Sequence, residues 1–193
     1  LFHFFPILYR QMKKDLLHQR ATFIKKMLDY YFPEPVVPLH HRDPYTLLIS
    51  VVLSARSTDA MVNRITPALF ARASTPQEMA NLDADEIRSL IKPCGLSPQK
   101  AKALKGLSLQ LLEKYNGAVP QTFEELESLP GVGHKTASVV MAQAFHQPAF
   151  PVDTHIFRCA RRWTLSQGKT VAAVEKDLKS LFKKEDWIRI HLQ

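Results

Sequence analysis

The segment LPGVGHKTASVV, residues 129–140, decides the fold class because it places a tight turn between two helices. Pro130 cannot continue the helix that precedes it. Gly131 and Gly133 permit a sharp reversal of the backbone, and apolar residues recur with helical spacing from Ala137 onward. The segment therefore predicts two helices joined by a short hairpin.

The turn of this hairpin favours an anion. A helix that begins directly after the turn directs unpaired N–H groups and the positive end of its dipole toward it, and a phosphate fits such a place. We predict that Gly131, Val132, Gly133 and His134 contact a phosphate backbone. The alternative is an ordinary turn between packed helices, because Gly-x-Gly alone is a weak signal.

Helix signals dominate the rest of the chain. Asp43-Pro44 and Ser97-Pro98 are typical helix starts, and Asn116-Gly117 is a typical helix end. Strand signals are nearly absent, since residues 149–152 are few and include a proline. An all-α fold is predicted. Three further helix starts carry a predicted capping box, namely Thr75–Glu78, Asp83–Glu86 and Thr122–Glu125.

Composition points to a globular protein with a polyanionic partner. The 193 residues are 46% apolar, which is enough to bury a core. Their formal net charge of +8 favours phosphate-rich ligands. No window reaches the roughly 20 consecutive apolar residues that a membrane helix needs. Cys94 and Cys159 have neither metal-ligand nor disulfide-framework spacing, so we expect reduced thiols in a cytoplasmic protein.

Lys135 has an unusual electrostatic position. Most lysines at helix starts are solvated surface residues, and that remains the alternative interpretation here. The positive end of a helix nevertheless disfavours the ammonium form, and a neutral primary amine is a good nucleophile. Lys135 is therefore a candidate catalytic residue.

Asp153 is the second catalytic candidate. It stands in VDTH, residues 152–155, directly before a predicted helix, so its simplest role is an N-cap worth about 1 kcal/mol. The functional alternative is a carboxylate that accepts a proton or stabilises positive charge on a sugar.

These motifs resemble the endonuclease III family of helix-hairpin-helix DNA glycosylases. Residues 129–140 are similar to the family's hairpin and catalytic helix, and VDTHIFR, residues 152–158, is similar to its acidic motif at the family's spacing. The LSA sequence at 53–55 and the glycine–leucine pair at 95–96 also match. The similarity covers about residues 16–193.

The resemblance implies a base excision repair enzyme. It would remove oxidised pyrimidines from double-stranded DNA and then nick the strand by β-elimination at the abasic site. Lys135 would form a Schiff base with the sugar, and Asp153 would assist. Family members that only remove the base lack this lysine, so Lys135 implies a bifunctional DNA glycosylase/AP lyase that binds DNA containing a damaged base or an abasic site.

Two further residues acquire DNA-binding roles from the resemblance. Leu96 matches the family's apolar wedge, which enters the duplex when the damaged nucleotide is flipped out; the alternative is a hydrophobic contact at a helix end. The family usually has glutamine where this chain has Arg56. Arginine could still fill the gap opposite the lesion, with a changed preference for the opposite base.

The family's iron–sulfur cluster is not expected in this chain. Four cysteines past the last helix hold a [4Fe–4S] cluster in the family, whereas this sequence ends at Gln193 and contains two cysteines. We therefore predict no cofactor and no metal site unless a missing C-terminal four-cysteine loop exists, and we interpret the chain as a truncated gene product or a fragment. Met12 is interpreted as the natural start.

The predicted architecture has two helical lobes around a central cleft. Residues 37–146 form a six-helix lobe with the hairpin, and residues 14–36 with 147–193 form a second, incomplete lobe. Residues 1–13 are predicted to be a disordered extension. Lys135 and Asp153 would face each other across the cleft of a cytoplasmic monomer with no membrane partner, nucleoid-associated if bacterial.

Two other functions remain open. One is a glycosylase for a mismatched pyrimidine or an oxidised purine, a class that shares the hairpin and the aspartate. Arg56, which differs from the family's usual glutamine, leaves this function open. The other is a DNA-binding module without catalysis, which uses the hairpin alone; the pairing of Lys135 with Asp153 speaks against it.

Overall fold

The computed structural model describes the backbone of residues 4–193 and the side chains of residues 12–193. Within that part of the chain every regular element is helical and there is no strand, which confirms the all-α prediction. The chain divides into two compact units: unit 1 comprises Leu1–Val36 and Pro148–Gln193, and unit 2 comprises Val37–Gln147. The division predicted at residue 146 lies one residue before the second boundary.

Unit 2 contains the hairpin and the helices that support it. Helix α2 packs against both the hairpin's second helix and the long helix α6. The seven helices of unit 2 are α2 (Pro44–Ser54), α3 (Asp59–Arg72), α4 (Pro76–Asn81), α5 (Ala84–Leu90), α6 (Ser97–Tyr115), α7 (Phe123–Glu127) and α8 (His134–Ala144).

Local sequence signals explain most of these helix starts. Asp43 caps α2, with its carboxylate accepting from the Thr46 N–H at 2.8 Å, and Thr75 with Glu78 forms a complete capping box on α4. Such caps satisfy N–H groups that the first turn of a helix leaves unpaired.

The box predicted at Asp83 does not form. The Asp83 side chain makes no cap hydrogen bond to α5, and its Oδ1 atom lies 3.9 Å from the Lys105 Nζ atom. The Oε1 atom of Glu86 lies 2.6 Å from the Arg72 Nε atom. Arg72 of α3 therefore engages Glu86, which does not reach back to the helix start, and the Asp83 side chain stays almost fully exposed.

The core of unit 2 is built around α2. Residues 45–53 of this helix are all buried, as expected for a helix that is apolar on every face. Leu104, Leu107 and Leu111 of α6 are fully buried as well. This core fixes the ends of α2, α6 and α8, from which the candidate functional residues project.

In the part of unit 1 that the structure describes there are four helices and one 3₁₀ turn. A cluster of buried apolar side chains, including Phe150, Val174 and Leu178, forms its core. Its elements are α1 (Phe4–Tyr31), α9 (Thr154–Arg162), α10 (Val171–Leu181), a 3₁₀ turn (Lys184–Asp186) and α11 (Trp187–Leu192).

Helix α1 begins earlier than the sequence predicts. The expected disordered extension, residues 1–13, is helical from Phe4 onward, and its first three residues lie outside the described part. The only proline of α1, Pro6, stands in the first turn, where proline is tolerated, and no glycine interrupts the helix. None of the described helices is long and apolar enough to cross a membrane.

A polar network joins α1 to the C-terminal helix within unit 1. The carboxylate of Asp29 accepts from Lys25 at 2.7 Å, from Arg189 at 3.0 Å and from Gln193 at 3.1 Å. The Lys25 and Gln193 hydrogen bonds hold the pKa of Asp29 near 2, below its usual value of 3.8.

Candidate functional site

The hairpin turn requires glycine at position 131. Gly131 has φ of +79°, a left-handed conformation that costs other residues about 1–2 kcal/mol. A β-carbon there would also stand 2.8 Å from the Ala103 Cβ atom, closer than packed atoms approach. The Val132 N–H closes the turn by donating to the Leu129 carbonyl at 3.1 Å, and the Val132 side chain is buried.

Gly133 is the N-cap of α8 and stands in open space. No heavy atom lies within 4 Å of the position that its β-carbon would occupy, and its φ of −103° is accessible to any residue. Packing and conformation therefore do not demand glycine here. Its small size leaves the N-terminus of α8 accessible to a ligand.

His134 links the two helices of the hairpin. Its ring stacks on Phe123 with centroids 5.6 Å apart, and its Nδ1 atom lies 2.7 Å from a Glu127 carboxylate oxygen. Both partners belong to the segment of α7. The imidazole thus helps to fix the first turn of α8 against the preceding helix.

Lys135 projects from the first turn of α8 and is exposed. Among the described side chains, residues 12–193, the structure records no hydrogen bond or ion pair to its ammonium group. The Lys135 side chain therefore has no visible role in holding unit 2 together.

Asp153 caps helix α9 in unit 1. Its Oδ1 atom accepts from the His155 N–H at 2.8 Å and from the Ile156 N–H at 2.9 Å, which is the N-cap role that the sequence indicates. Both donors use the same oxygen, so Oδ2 is left for another partner. The carboxylate is partly exposed.

Arg56 and Leu96 lie on two adjacent loops of unit 2. Both side chains are exposed, and both residues are left-handed, with φ of +56° and +61°. The loops touch, because a β-carbon on Gly95 would stand 3.2 Å from the Arg56 carbonyl oxygen. The structure thus brings together two residues that are 40 positions apart in the sequence.

Lys100 is a residue of this region to which the sequence assigned no role. It is 4% exposed, and its ammonium group donates to the Leu53 carbonyl oxygen at 2.8 Å and to the Ser57 hydroxyl at 3.1 Å. A signal was present, since position 100 shares a helix face with the buried Leu104 and Leu107 of α6. A lysine at a position where the helix pattern places apolar residues indicates that its charge has a specific partner.

The cysteines do not fit an iron–sulfur cluster. A [4Fe–4S] cluster takes four thiolate ligands, and the sequence contains two cysteines. Cys94 is buried in unit 2, whereas Cys159 lies on α9 of unit 1 with its Sγ atom 3.6 Å from a His155 nitrogen. Within the described residues no group of three or more His, Cys, Asp or Glu could hold a metal ion.

Comparison with known proteins gives consistent relatives. Residues 49–184 match the model of the HhH-GPD superfamily of base excision DNA repair proteins. The chain is 46% identical over 165 residues to endonuclease III of Treponema pallidum, covering 82% of this chain and 78% of that protein. It is 42% identical over 161 residues to endonuclease III of Bacillus subtilis, covering 83% and 74%.

Solved structures agree with these sequence matches. The fold is similar to a non-covalent endonuclease III–DNA complex and to a trapped endonuclease III–DNA covalent intermediate, each with a TM-score of 0.88, 40% identity, and coverage of 90% of this chain and 82% of that chain. The hairpin, the family match and these structures together show that the chain belongs to the endonuclease III family of DNA glycosylase/AP lyase enzymes in base excision repair.

Proposed function

We propose that this protein is a bifunctional DNA glycosylase that removes oxidised pyrimidines from duplex DNA and then cleaves the strand. The observation that carries the proposal is the position of Lys135. Lys135 is an exposed residue on the first turn of α8, two positions after Gly133, and its primary amine has no structural partner among the described side chains.

The hairpin would hold the DNA backbone beside the lesion. The accessible N-terminus of α8 offers backbone N–H groups and the positive end of the helix dipole to a phosphate. Gly133 keeps this approach open, since nothing lies within 4 Å of its missing β-carbon. A phosphate held here would fix the neighbouring sugar within reach of Lys135.

The chemistry would proceed through a Schiff base. The Lys135 amine attacks C1′ of the flipped-out nucleotide, the glycosidic bond breaks, and the base leaves with the bonding electrons. The nitrogen gives up one proton, the departing base takes a proton, and the C1′–O4′ bond breaks with a further proton going to O4′, so that the ring opens to a protonated imine. Loss of a proton from C2′ then expels the 3′ phosphate by β-elimination, which nicks the strand.

Asp153 would assist this reaction. Its Oδ1 atom is held by the His155 and Ile156 N–H groups, which fixes the orientation of the carboxylate. We assign Oδ2 to accept the proton of the attacking amine or to stabilise positive charge on the sugar.

Arg56 and Leu96 would fill the gap left by the flipped nucleotide. An apolar side chain can separate base steps, and a guanidinium can donate to the unpaired opposite base or stack on it. Their adjacent, exposed loops suit one contiguous gap. The Leu96 side chain is 49% exposed, which speaks against its alternative role as a contact at a helix end.

Borohydride trapping tests this proposal. The chain is mixed with a duplex that carries one abasic site, reduced with borohydride, and examined for a covalent protein–DNA adduct. We expect an adduct with the natural chain and with Lys102→Ala, an exposed lysine of α6 that serves as the control, and none with Lys135→Ala. A folded, DNA-binding natural chain that gives no adduct would refute the lyase assignment in favour of binding alone.

The arginine at position 56 is a reason to test a second lesion specificity. The family's usual glutamine is replaced, and the chain is also 27% identical, with a TM-score of 0.77, to a thermostable thymine-DNA glycosylase. Duplexes that contain an oxidised pyrimidine, a mismatched thymine or an oxidised purine decide between the lesions. We expect fastest release of the oxidised pyrimidine; preference for mismatched thymine or oxidised purine would transfer the assignment to that class.

A further inference from the structure

Lys100 is buried where the fold alone would favour an apolar side chain. It occupies the face of α6 that carries Leu104 and Leu107, and lysine is almost never fully buried without a partner. Burial lowers the pKa of Lys100 from its ordinary value of 10.5, so keeping the ammonium charged at neutral pH opposes folding. Well-packed apolar residues often replace buried charges without loss of stability.

The ammonium group holds the loop that carries Arg56. It donates at 2.8 Å to the Leu53 carbonyl in the last turn of α2, where carbonyls lack partners within the helix and cations are favoured. It also donates at 3.1 Å to the Ser57 hydroxyl. These two bonds lie on either side of Arg56 in the sequence.

The backbone of the same residue holds the loop that carries Leu96. The Lys100 N–H donates to the Leu96 carbonyl at 3.0 Å, which closes the first turn of α6. Arg56 and Leu96 are both left-handed, and such a conformation in a residue other than glycine persists only when surrounding contacts impose it. Lys100 therefore reaches the Arg56 loop through its side chain and Leu96 through a backbone N–H that any non-proline residue at this position would supply.

We propose that Lys100 is a positioning residue that holds Arg56 and Leu96 together so that both enter the gap opposite a flipped nucleotide. This inference rests on the proposed function, because it concerns how that enzyme fills the gap. The proposal predicts that loss of the Lys100 ammonium weakens binding to a duplex with an abasic site, while the hairpin still binds undamaged DNA.

Lys105 supplies a matched control on the same helix. Its ammonium also donates to a backbone carbonyl at the end of a neighbouring helix, that of Leu82 after α4, at 2.7 Å. The partners of its ammonium group, the Leu82 carbonyl and the Asp83 carboxylate, belong to neither of the two loops. Lys105→Met thus removes a lysine-to-carbonyl hydrogen bond of the same kind, from a less buried side chain, without reaching Arg56 or Leu96.

The experiment compares the affinity for a duplex with a stable abasic analogue to the affinity for the same duplex undamaged. The base opposite the analogue is 2-aminopurine, whose fluorescence reports unstacking when side chains enter the gap. For Lys100→Met we expect the affinity ratio to fall about tenfold, as for the loss of one charged hydrogen bond, and the fluorescence change to shrink with it. Lys105→Met should keep both quantities within about twofold.

A double-mutant comparison separates positioning from general destabilisation. If Lys100 acts through the two loops, adding Lys100→Met to Arg56→Ala and Leu96→Ala lowers the affinity ratio no further, because contacting residues are not additive. A folded Lys100→Met protein with the natural ratio and fluorescence change overturns the proposal. So does an equal effect of Lys105→Met, or full additivity.

A second variant covers a failure of Lys100→Met to fold. Ser57→Ala removes only the hydroxyl that accepts from the ammonium, and we expect a smaller fall in the same ratio; no fall would contradict the proposal. Borohydride trapping of the natural chain keeps the two proposals distinguishable. A chain that forms the adduct but shows no effect of Lys100→Met or Ser57→Ala retains its function and loses only this inference.

Discussion

The starts of α8 and α9 carry the two proposed catalytic residues in opposite structural situations. At α8 the capping position is Gly133, which provides no side-chain cap, and Lys135 makes no bond to another described side chain. At α9 the capping position is Asp153 itself, which accepts two backbone hydrogen bonds. Lys135 therefore makes no side-chain contact that stabilises the fold, whereas Asp153 stabilises the start of α9.

This difference determines how each residue can be tested. A residue without structural partners can be replaced without loss of stability, so any loss of activity belongs to the chemistry. A residue that caps a helix contributes to both, and a simple truncation confounds them. The substitutions below separate the two contributions at each helix start.

The largest effect is expected for Lys135→Gln. An amide cannot form a Schiff base, so strand cleavage at an abasic site should fall by roughly a thousandfold or more. The free energy of unfolding should stay within about 0.5 kcal/mol, as for an exposed residue without partners. Cleavage assays and urea unfolding measure the two quantities. Substantial destabilisation would show that Lys135 has a structural role after all.

Asp153 should divide its two roles between two variants. Asp153→Asn keeps an oxygen that can cap α9 and removes the charge, whereas Asp153→Ala removes both. We expect both variants to lose base removal by about a hundredfold or more, with only Asp153→Ala losing about 1 kcal/mol of stability. Single-turnover kinetics and thermal unfolding provide the measurements. Near-natural activity in Asp153→Asn would reduce this residue to a helix cap.

The local parts of this architecture were predictable from the sequence, and the tertiary parts were not. The hairpin and the caps at Asp43 and Thr75 depend on neighbours within four residues, so their patterns indicate them directly. The contact between the loops of Arg56 and Leu96 depends on how α6 packs against the end of α2. No local signal encodes that packing, and the capping box at Asp83 failed for the same reason.

The two glycines of the hairpin have different roles at the start of α8. Gly131→Ala should cost about 2–4 kcal/mol, because it combines a left-handed backbone with a clash against Ala103. Gly133→Ala should cost only about 1 kcal/mol, the difference between glycine and alanine as a cap, and should weaken duplex binding about tenfold by obstructing the approach to α8. Unfolding and fluorescence anisotropy test these values. Equal destabilisation by both substitutions would mean that Gly133 also serves the fold.

The smallest effect concerns Asp29, a carboxylate in unit 1 to which we assign no DNA-binding or catalytic role, so it gives a structural standard for Asp153. The pKa of Asp29 is lowered to about 2 from 3.8, first by its Lys25 hydrogen bond and then by Gln193. A lowered pKa means that the charged carboxylate stabilises the fold above pH 4 and that this stabilisation is lost as the pH falls toward 2. Asp29→Asn should therefore be less stable at pH 7, by at most about 1 kcal/mol for so exposed a pair, and the deficit should shrink to a small fraction near pH 2. Thermal unfolding of both chains between pH 7 and pH 2 measures this deficit, and cleavage activity at pH 7 should be unchanged.

A deficit that persists undiminished at pH 2 would assign the stabilisation to packing instead of charge. A loss of cleavage with stability intact would show that structural and catalytic carboxylates cannot be told apart by their partners.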